Sequence, residues 1–327
     1  MASLTVLDVG HGNSTILSDE GKVVLIDTAD RTRIQGYLQK KGIRDIELVI
    51  ISHSDQDHIG GLINLLSSEE YNVRRLVINS DSIKDSALWE DVRYLVDERE
   101  REGALEVDIA VGPPKKNEWA QVTEGLFLEI VSPSRAMLLS GAGQSMPKDD
   151  RKLTSNSVSV VVRVVYRSNP VALVTGDMDR IALDVIAENA LDISAKYLIF
   201  PHHGGLPGDG DAGGFTSDLL SRVKPSSIIF SNGRTKYNNP APLIVGAAIE
   251  VNPSIDILCT QLSKACCEEN PRKTFEPYVY SLGADTGASC VGSVEIDLDT
   301  LEFHSATRQV HKDFVKTLPG SLCSKRR

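Results

Sequence analysis

The sequence predicts an α/β protein with a metal site where one buried strand ends. Residues 48–51 form a continuous apolar run, which is typical of a short strand buried on both faces. Four potential metal ligands follow within six residues: His53, Asp55, Asp57 and His58. Gly60 and Gly61 then predict a tight backbone turn before an apolar-periodic helix over residues 62–66. A single His or Asp there would indicate only a polar turn, but four ligands with paired glycines indicate a metal-binding loop.

Further strands and helices follow from residue patterns along the chain. β-Branched and alternating segments bounded by turn residues predict strands at residues 4–9, 15–17, 23–26, 74–79, 125–131, 158–166, 171–175, 196–200, 226–231, 255–258 and 291–296. Longer segments without breakers predict helices at residues 87–102 and 181–189. The stretch 141–154 mixes Gly, Ser, Pro, Lys and Asp without a period, which predicts a loop.

Composition bounds the class of protein. The chain has 327 residues, of which 41% are hydrophobic and 24% charged, so it can bury a full core in one large domain or two smaller ones. No apolar run approaches the roughly 20 residues of a membrane helix. The N-terminus enters a strand without a cleavable leader, so we expect a cytoplasmic protein with no membrane partner. The net charge of −10 argues against non-specific binding to polyanions, although bound cations or a basic rim would still admit a nucleic-acid substrate.

The metal loop carries a family resemblance. Its pattern, His-x-Asp-x-Asp-His-x-Gly-Gly over residues 53–61, resembles the metal-binding signature of the metallo-β-lactamase fold, usually written H-x-H-x-D-H. The Asp at the third position resembles the variant in the nuclease-like domain of the ComEC family of competence DNA-uptake proteins. Further similar segments follow in the same order over roughly residues 4–250.

This resemblance implies a fold and a domain organisation. The fold is a four-layer αβ/βα sandwich, in which two mixed sheets face each other, helices cover their outer faces and metals bind at one edge. We expect one domain over residues 1–304, of which residues 251–304 diverge from the family. A loosely held basic tail would follow over residues 305–327.

The N-terminal segments supply three candidate residues. Residues 7–12 resemble the opening of ComEC-type domains, and this opening contains Asp8 and His11. We assign Asp8 to a supporting or substrate-contacting role. His11 stands where the family usually has Gln, and it either belongs to the turn alone or faces the metals. Asp27 ends a strand in a segment that resembles the family's first motif, which implies that it supports the metal loop.

Two polar residues flank the strand pair in the middle of the chain. Asn156 precedes the first strand in a segment that resembles the family's N-x-S element, which implies a supporting role. Asp177 follows the second strand beside a Gly and resembles the carboxylate that bridges two metals in this fold. A lone Asp at a strand end is usually a helix N-cap, so capping by Asp177 or Asp179 is the alternative interpretation.

The next two strands also end in candidate residues. The first runs into His202 and His203, which resemble the family's H-H-G-S motif; we assign His202, nearer the strand end, to the metal and His203 to a phosphate contact or an acid role. The second runs into a segment resembling the family's N-x-Y-x-H-P, with Asn239 where His is usual, so a potential proton donor is missing. Arg234 and Lys236 form a compact basic pair there and are our candidates for a substrate phosphate contact.

All five cysteines lie beyond residue 258, and their odd number argues against a secreted disulfide framework. Four of them lie close to predicted strands: Cys259, Cys266, Cys267 and Cys290. Four thiolates are enough for a closed, tetrahedral structural zinc. Their spacing lacks the paired C-x2-C knuckles of typical zinc sites, so ordinary buried thiols are the alternative.

Carried onto this chain, the family's dinuclear arrangement implies two divalent ions with these ligands: His53, Asp55, Asp57, His58, Asp177 and His202. Asp57 would also orient the attacking water. No histidine lies between His58 and His202, so the middle His ligand common in zinc hydrolases of this fold is missing. Since oxygen-rich sites suit Mn²⁺ or Mg²⁺ better than Zn²⁺, we predict that at least one position works best with manganese.

The expected function is a metal-dependent phosphodiesterase or nuclease. Two metals acidify water and neutralise the oxygens of an in-line displacement, which suits a phosphodiester in DNA, RNA or a small nucleotide. One alternative is a zinc-dependent hydrolase of esters, lactones or thioesters. The other is a non-catalytic scaffold on a decayed site, because Gly205 and Asn239 replace the family's Ser and His. The fold alone does not separate these alternatives.

Overall fold

Two β-sheets lie face to face at the centre of the fold. The computed structural model describes residues 1–109, 111–113, 121–146, 150–208, 210–234, 236–271 and 279–324. Within these residues, eight strands form the first sheet and six form the second. Helices cover the outer face of each sheet, so the chain has four layers.

The first sheet combines N-terminal and C-terminal strands. Its members are β1 (Ser3–Val6), β2 (Thr15–Asp19), β3 (Lys22–Ile26), β5 (Leu48–Ile50), β7 (Arg75–Val77), β8 (Glu106–Asp108), β15 (Val294–Asp297) and β16 (Glu302–Phe303). They lie in the order β16-β15-β1-β2-β3-β5-β7-β8. The run from β3 to β8 is parallel, whereas the run from β16 to β3 is antiparallel. A separate parallel pair joins β4 (Asp45–Ile46) and β6 (Asn72–Val73).

The second sheet comes from the middle of the chain. Its members are β9 (Leu126–Ser132), β10 (Val161–Tyr166), β11 (Asn169–Val174), β12 (Tyr197–Ile199), β13 (Ser227–Phe230) and β14 (Asp256–Cys259). They lie in the order β14-β13-β12-β11-β10-β9. The four strands from β11 to β14 are parallel, while β9, β10 and β11 pair antiparallel.

Alternating side chains explain why the two sheets stack. On β3, Val24 and Ile26 join a core between the sheets, whereas Leu25 joins a core under the helices. On β10, Val162 lies between the sheets and Val161 packs under the helices of the other side. Because successive strand residues point to opposite faces, each apolar strand is buried on both of its faces. This arrangement confirms the predicted four-layer sandwich.

The helices divide between the two outer faces. Those on the first sheet are α1 (Gln35–Lys41), α2 (Gln56–Ile59), α3 (Leu62–Ser67) and α4 (Ala87–Arg101). Those on the second sheet are α5 (Arg135–Ser140), α6 (Arg180–Glu188), α7 (Ala212–Val223), α8 (Pro242–Val251) and α9 (Ser305–Lys316). Over the described ranges, none of these helices combines the length and the apolar character that a bilayer crossing requires.

Helix α9 corrects one prediction. We predicted residues 305–327 as a loosely held basic tail, but Ser305–Lys316 form a helix whose Thr307, His311 and Val315 are buried. A short 3-10 turn follows at Leu322–Ser324, and residues 325–327 lie outside the described residues. The segment belongs to the outer layer of the second sheet.

The glycines after the metal loop allow neighbouring backbone segments to pack closely. Gly60 and Gly61 both have ordinary right-handed helical dihedrals, so they do not form the tight turn that we predicted. A Cβ at Gly61 would lie 2.3 Å from the Thr28 carbonyl oxygen, and one at Gly60 would lie 2.7 Å from that of Gln56. The absence of these side chains lets α2 and α3 pack directly on the backbone that follows β3.

Candidate metal centre

The candidate residues gather where parallel strands of both sheets end. Asp27 follows β3 and residues 53–58 follow β5, while Asp177 follows β11 and His202 follows β12. Because β3 is parallel to β5 and β11 is parallel to β12, their carboxyl ends lie side by side. Such a crevice at strand ends is where open α/β sheets bind ligands.

The first cluster consists of His53, His58 and Asp177. All three are buried, and their ligand atoms lie within 4.8 Å of one another. The Asp177 carboxylate oxygens are 3.9 Å from His53 Nε2 and 3.5 Å from His58 Nε2. Two imidazoles and one carboxylate thus converge on one point.

The second cluster consists of His11, Asp57 and His203, again within 4.8 Å of one another. Asp57 Oδ2 lies 2.9 Å from His11 Nε2 and 3.3 Å from His203 Nε2. His203 Nε2 is also 3.8 Å from Asp177 Oδ1, so Asp177 lies between the two clusters. His11 therefore faces the site, which decides between the two interpretations that its sequence left open.

Asp55 and His202 lie at the flank of these clusters. Asp55 Oδ2 is 3.6 Å from His53 Nε2, and the same carboxylate is ion-paired with Lys84. His202 Nδ1 is 3.6 Å from Asp177 Oδ2. The structure therefore brings both histidines of the pair to the site, but it groups His203, rather than the predicted His202, with the second cluster.

A strained turn points the histidine pair inward. His202 and His203 have φ values of 53° and 55°, in the left-handed region that non-glycine residues rarely adopt. Backbone strain of this kind persists only where surrounding contacts impose it. Here the Asn239 side chain donates to the His202 carbonyl at 3.2 Å, and the His202 N–H donates to Asp177 at 3.1 Å. Asn239 thus supports the turn.

Asp27 fixes the orientation of one imidazole. It is fully buried and accepts hydrogen bonds from Ser52 N at 2.7 Å, from Ser52 Oγ at 2.9 Å and from His58 Nδ1 at 2.7 Å. His203 is held similarly, because its Nδ1 donates to the Ser231 carbonyl at 2.9 Å. When Nδ1 is engaged in this way, Nε2 is left to face a metal. This placement supports the predicted role of Asp27.

Two serines near the centre were missed by the sequence analysis. Ser52 contacts Asp27, and Ser159 Oγ accepts from Asp177 N at 3.1 Å. Asn156, the residue that we predicted, instead offers its carbonyl to Ser159 N. The capping role considered for Asp177 belongs to Asp179, which accepts from the first N–H groups of α6. The available signal was that a hydroxyl residue precedes His53 directly.

Asp8 has a structural role instead of the predicted one. Its carboxylate is fully buried and accepts from Gln261 Nε2 at 2.8 Å, from Gly283 N at 3.0 Å and from Ser281 Oγ. Burial raises the pKa of Asp8, and these hydrogen bonds oppose that rise. The residue ties the N-terminal turn to the C-terminal segments, and it belongs to neither metal cluster.

The basic pair separates into two different roles. Arg234 is only 5% exposed and donates to four backbone carbonyls, those of residues 262, 267, 268 and 269. These contacts favour a structural role for Arg234 over the predicted substrate contact. Lys236 is exposed, lies 5.3 Å from the Tyr237 ring centre, and that ring is 4.8 Å from the His11 ring. Lys236 remains a candidate at the rim of the site.

The different positions of Arg234 and Lys236 predict different effects of their substitution on stability and on substrate binding. Arg234→Met removes a buried charged donor from four carbonyls, so we expect the free energy of unfolding to fall by about 3 kcal/mol, since one charged hydrogen bond contributes about 1.5–3 kcal/mol. Lys236→Met should change the stability by less than about 0.5 kcal/mol but raise KM for an anionic substrate. Urea unfolding and steady-state kinetics measure both effects. Unchanged stability with a raised KM in Arg234→Met would return that residue to the substrate site.

The electrostatics of the centre prepare it for cations. Burial alone would raise the pKa of Asp57, but the neighbouring imidazoles of His11 and His203 outweigh burial and hold it far below its ordinary value. Burial also acts to raise the pKa of Asp177, and the imidazoles of His203 and His58 outweigh it, so this pKa is well below normal. Burial lowers the pKa of His11, whereas the carboxylates of Asp27 and Asp177 outweigh burial and raise the pKa of His58 well above normal, so a metal there would displace the proton of His58. Ionised carboxylates and neutral imidazoles are the protonation states that bind metals.

The donor set fits a pair of divalent ions. Five buried imidazole nitrogens have no hydrogen-bond partner among the residues that the structure describes: Nδ1 of His11 and Nε2 of His53, His58, His202 and His203. The Nε2 atoms of His53, His58 and His203 face Asp177. Because buried polar atoms are nearly always paired, a metal between these groups would explain why they have no partner. His11 replaces the imidazole whose absence led us to predict an oxygen-rich site. That premise is wrong, because five imidazoles and three carboxylates surround the centre.

Comparison with known proteins agrees with this geometry. Residues 7–137 match the profile of the metallo-beta-lactamase superfamily. ComE operon protein 3 of Bacillus subtilis is 23% identical over 205 residues, which cover 62% of this chain and 22% of that protein. Recombination protein 2 of Haemophilus influenzae is 27% identical over 236 residues, covering 70% of this chain and 24% of that protein. Ribonuclease Z of Clostridioides difficile is 38% identical over 76 residues, which cover 21% of this chain and 25% of that protein.

The chain spans about a quarter of the length of these curated relatives. The matched segment contains the loop after β5, and the two-sheet architecture places that loop beside Asp177 and His203. Residues 7–137 therefore match the metallo-beta-lactamase superfamily, and the four-layer arrangement of the described residues agrees with that match.

Proposed function

We propose that this chain is a phosphodiesterase that uses two divalent ions, Mn²⁺ or Zn²⁺, with Mg²⁺ as a weaker substitute. The main support is the position of Asp177, a buried carboxylate between two clusters of imidazoles whose Nε2 atoms face it. One carboxylate shared by two sites suits a pair of ions, and two-metal sites suit in-line displacement at phosphorus. Two of the relatives' names, Ribonuclease Z and Recombination protein 2, add support for a phosphodiester substrate.

Ions bound there would supply Lewis acidity and lower the pKa of water. The chain's own residues supply orientation. The ionised Asp57 carboxylate accepts from His11 and lies at the edge of the crevice, where it can hold the attacking water by a hydrogen bond. Water attacks phosphorus and releases a proton to solvent, the opposite P–O bond breaks, and the leaving oxygen takes a proton from solvent. Lys236 at the rim would attract the phosphate.

The net charge of the chain favours some phosphodiester substrates over others. The net charge of −10 disfavours a long duplex and favours a single strand or a small nucleotide. We further propose a cytoplasmic location, for which the odd number of cysteines is the support. The extent of one domain over residues 1–304 stays a prediction.

The test is hydrolysis by the metal-stripped protein after it is reloaded with Mn²⁺, Zn²⁺ or Mg²⁺. The substrates are bis-p-nitrophenyl phosphate, labelled single-stranded and double-stranded DNA, RNA and cyclic dinucleotides, with Asp57→Ala as the control. We expect metal-dependent cleavage that the variant loses while it stays folded. Equal turnover by Asp57→Ala would refute the assigned centre, and silence of the wild type with every metal would refute the phosphodiesterase.

A zinc-dependent hydrolase of esters, lactones or thioesters is the second candidate. The observation that favours it is the donor set, since five imidazoles suit Zn²⁺ better than the oxygen-rich set expected from the sequence. Hydrolysis of p-nitrophenyl acetate and of lactones with Zn²⁺, but of no phosphodiester, would select it. The third possibility, a scaffold on a decayed site, would require that the protein bind no divalent ion at the two clusters.

A further inference from the structure

Four cysteines and one histidine converge on one small cavity behind the second sheet. They come from five separate parts of the chain: Cys259, Cys266, Cys290, His311 and Cys323. Apart from two serines and one proline, the rest of the lining is aliphatic, from α8, α9 and neighbouring segments. These four sulfur donors and one nitrogen donor lie among apolar side chains, and the proposed reaction uses none of them.

Backbone pairing brings three of these donors together. Val291 N donates to the Cys259 carbonyl at 3.0 Å and Cys290 N donates to the Thr260 carbonyl at 3.1 Å, so the two cysteines lie on adjacent segments. Cys290 Sγ is 3.4 Å from His311 Nε2, which projects from the buried side of α9. One thiol and one imidazole are therefore already in contact.

A close backbone contact brings together the segments that carry the remaining two thiols, Cys266 and Cys323. A Cβ at Gly320 would lie 2.5 Å from the Cys266 carbonyl oxygen, so the turn that carries Cys266 packs on the backbone just before Cys323. Burial raises the pKa of Cys259 well above normal, and the neighbouring thiols of Cys290, Cys266 and Cys323 raise it further. The four thiols thus line one cavity.

We propose that this thiol cluster binds one structural Zn²⁺ through Cys259, Cys290 and His311, with Cys266 or Cys323 as the fourth ligand. Zinc prefers four sulfur or nitrogen ligands in a closed tetrahedral arrangement, and thiolates select it over manganese. The proposal corrects the cysteine set expected from the sequence. Cys267 is not among the residues that line the cavity, and its carbonyl accepts from Arg234.

The zinc would fasten the C-terminal helix to the sheet. It would join α9 and the following 3-10 turn to the end of β14 and to the turn at residues 263–267. That turn continues into the carbonyls that hold Arg234, and Arg234 precedes Lys236 and Asn239 at the site. The zinc would therefore stabilise the segment that carries Arg234, Lys236 and Asn239. The zinc proposal does not depend on the proposed reaction.

Cobalt substitution tests the cluster without any activity measurement. The full chain is stripped under reducing conditions and titrated with Co²⁺, and thiolate-to-cobalt charge-transfer absorption is recorded, because carboxylates and imidazoles do not produce that band. We expect the band in wild type and in Asp177→Asn, since this variant disturbs only the His/Asp centre. Cys290→Ser should lose at least about half of the band, while Cys267→Ser, the matched control, should keep it.

Zinc content and thiol labelling complete the test where a variant does not fold. In the wild-type protein, native mass spectrometry should show about one zinc that resists mild chelation, and iodoacetamide should label Cys259 and Cys290 only after a strong chelator is added. Comparing Cys266→Ser with Cys323→Ser identifies the fourth ligand. Folded wild-type protein without the cobalt band, or with zinc content unchanged in Cys290→Ser, would overturn the proposal and leave ordinary buried thiols.

Discussion

Asp177→Asn is expected to reduce hydrolysis by at least about 10³-fold, the order of effect seen when one preorganised electrostatic group is lost. Asp177 Oδ1 is 3.5 Å from His58 Nε2 and 3.8 Å from His203 Nε2, so its charge serves both clusters. Asparagine keeps the shape but removes that charge from a buried position. Both metals should therefore bind more weakly, and metal analysis beside the rate with bis-p-nitrophenyl phosphate measures this.

The matched control is Asp184→Asn. Asp184 is a partly exposed carboxylate on α6 that pairs with Arg151 and Arg180 outside the centre. Because exposed ion pairs contribute about 1 kcal/mol or less, this variant should keep the wild-type rate and metal content. Activity of Asp177→Asn within about tenfold of wild type, with two ions still bound, would show that Asp177 is not the shared carboxylate.

The parts of the fold that sequence patterns predicted are those where local chemistry and tertiary position agree. β5 is apolar at every position because it is buried on both faces, so its pattern alone indicates a central strand. Asp27 and Asp177 lie one and three residues after their strands, as their sequence positions indicated, and these strand ends meet at one edge. The family resemblance added the order in which these ends would meet.

Other features depend on contacts between distant residues. The buried face of α9 consists of Thr307, His311 and Val315, and because two of these are polar, hydrophobic periodicity did not reveal the helix. Arg234 looked like a substrate contact, but the four carbonyls that hold it come from residues 262–269 and appear only in three dimensions. Cys323 was overlooked because its approach to Cys266 spans a long separation in sequence.

His11 is the clearest example of that limit, and its substitution is expected to have the second largest effect. His11→Ala should reduce hydrolysis by at least about 100-fold, the upper range of losses near metal ligands. His11 Nε2 is 2.9 Å from Asp57 Oδ2, and the His11 ring centre is 4.5 Å from that of His203. Since burial lowers its pKa, the imidazole is neutral and suited to bind a metal. Metal content should fall by about one ion per chain.

His11→Gln separates the two ways in which this residue could act. Gln, the usual residue in the resembling family, can still donate a hydrogen bond to Asp57 but is a poorer metal ligand than imidazole. If His11 is a ligand, His11→Gln should show the same metal deficit as His11→Ala, while His304→Ala, a histidine outside both clusters, should be normal. Full metal content and rate in His11→Gln would instead mean that His11 only holds Asp57. The second ion would then depend on Asp57 and His203, and the imidazole-rich character of the centre would come from the strand ends alone.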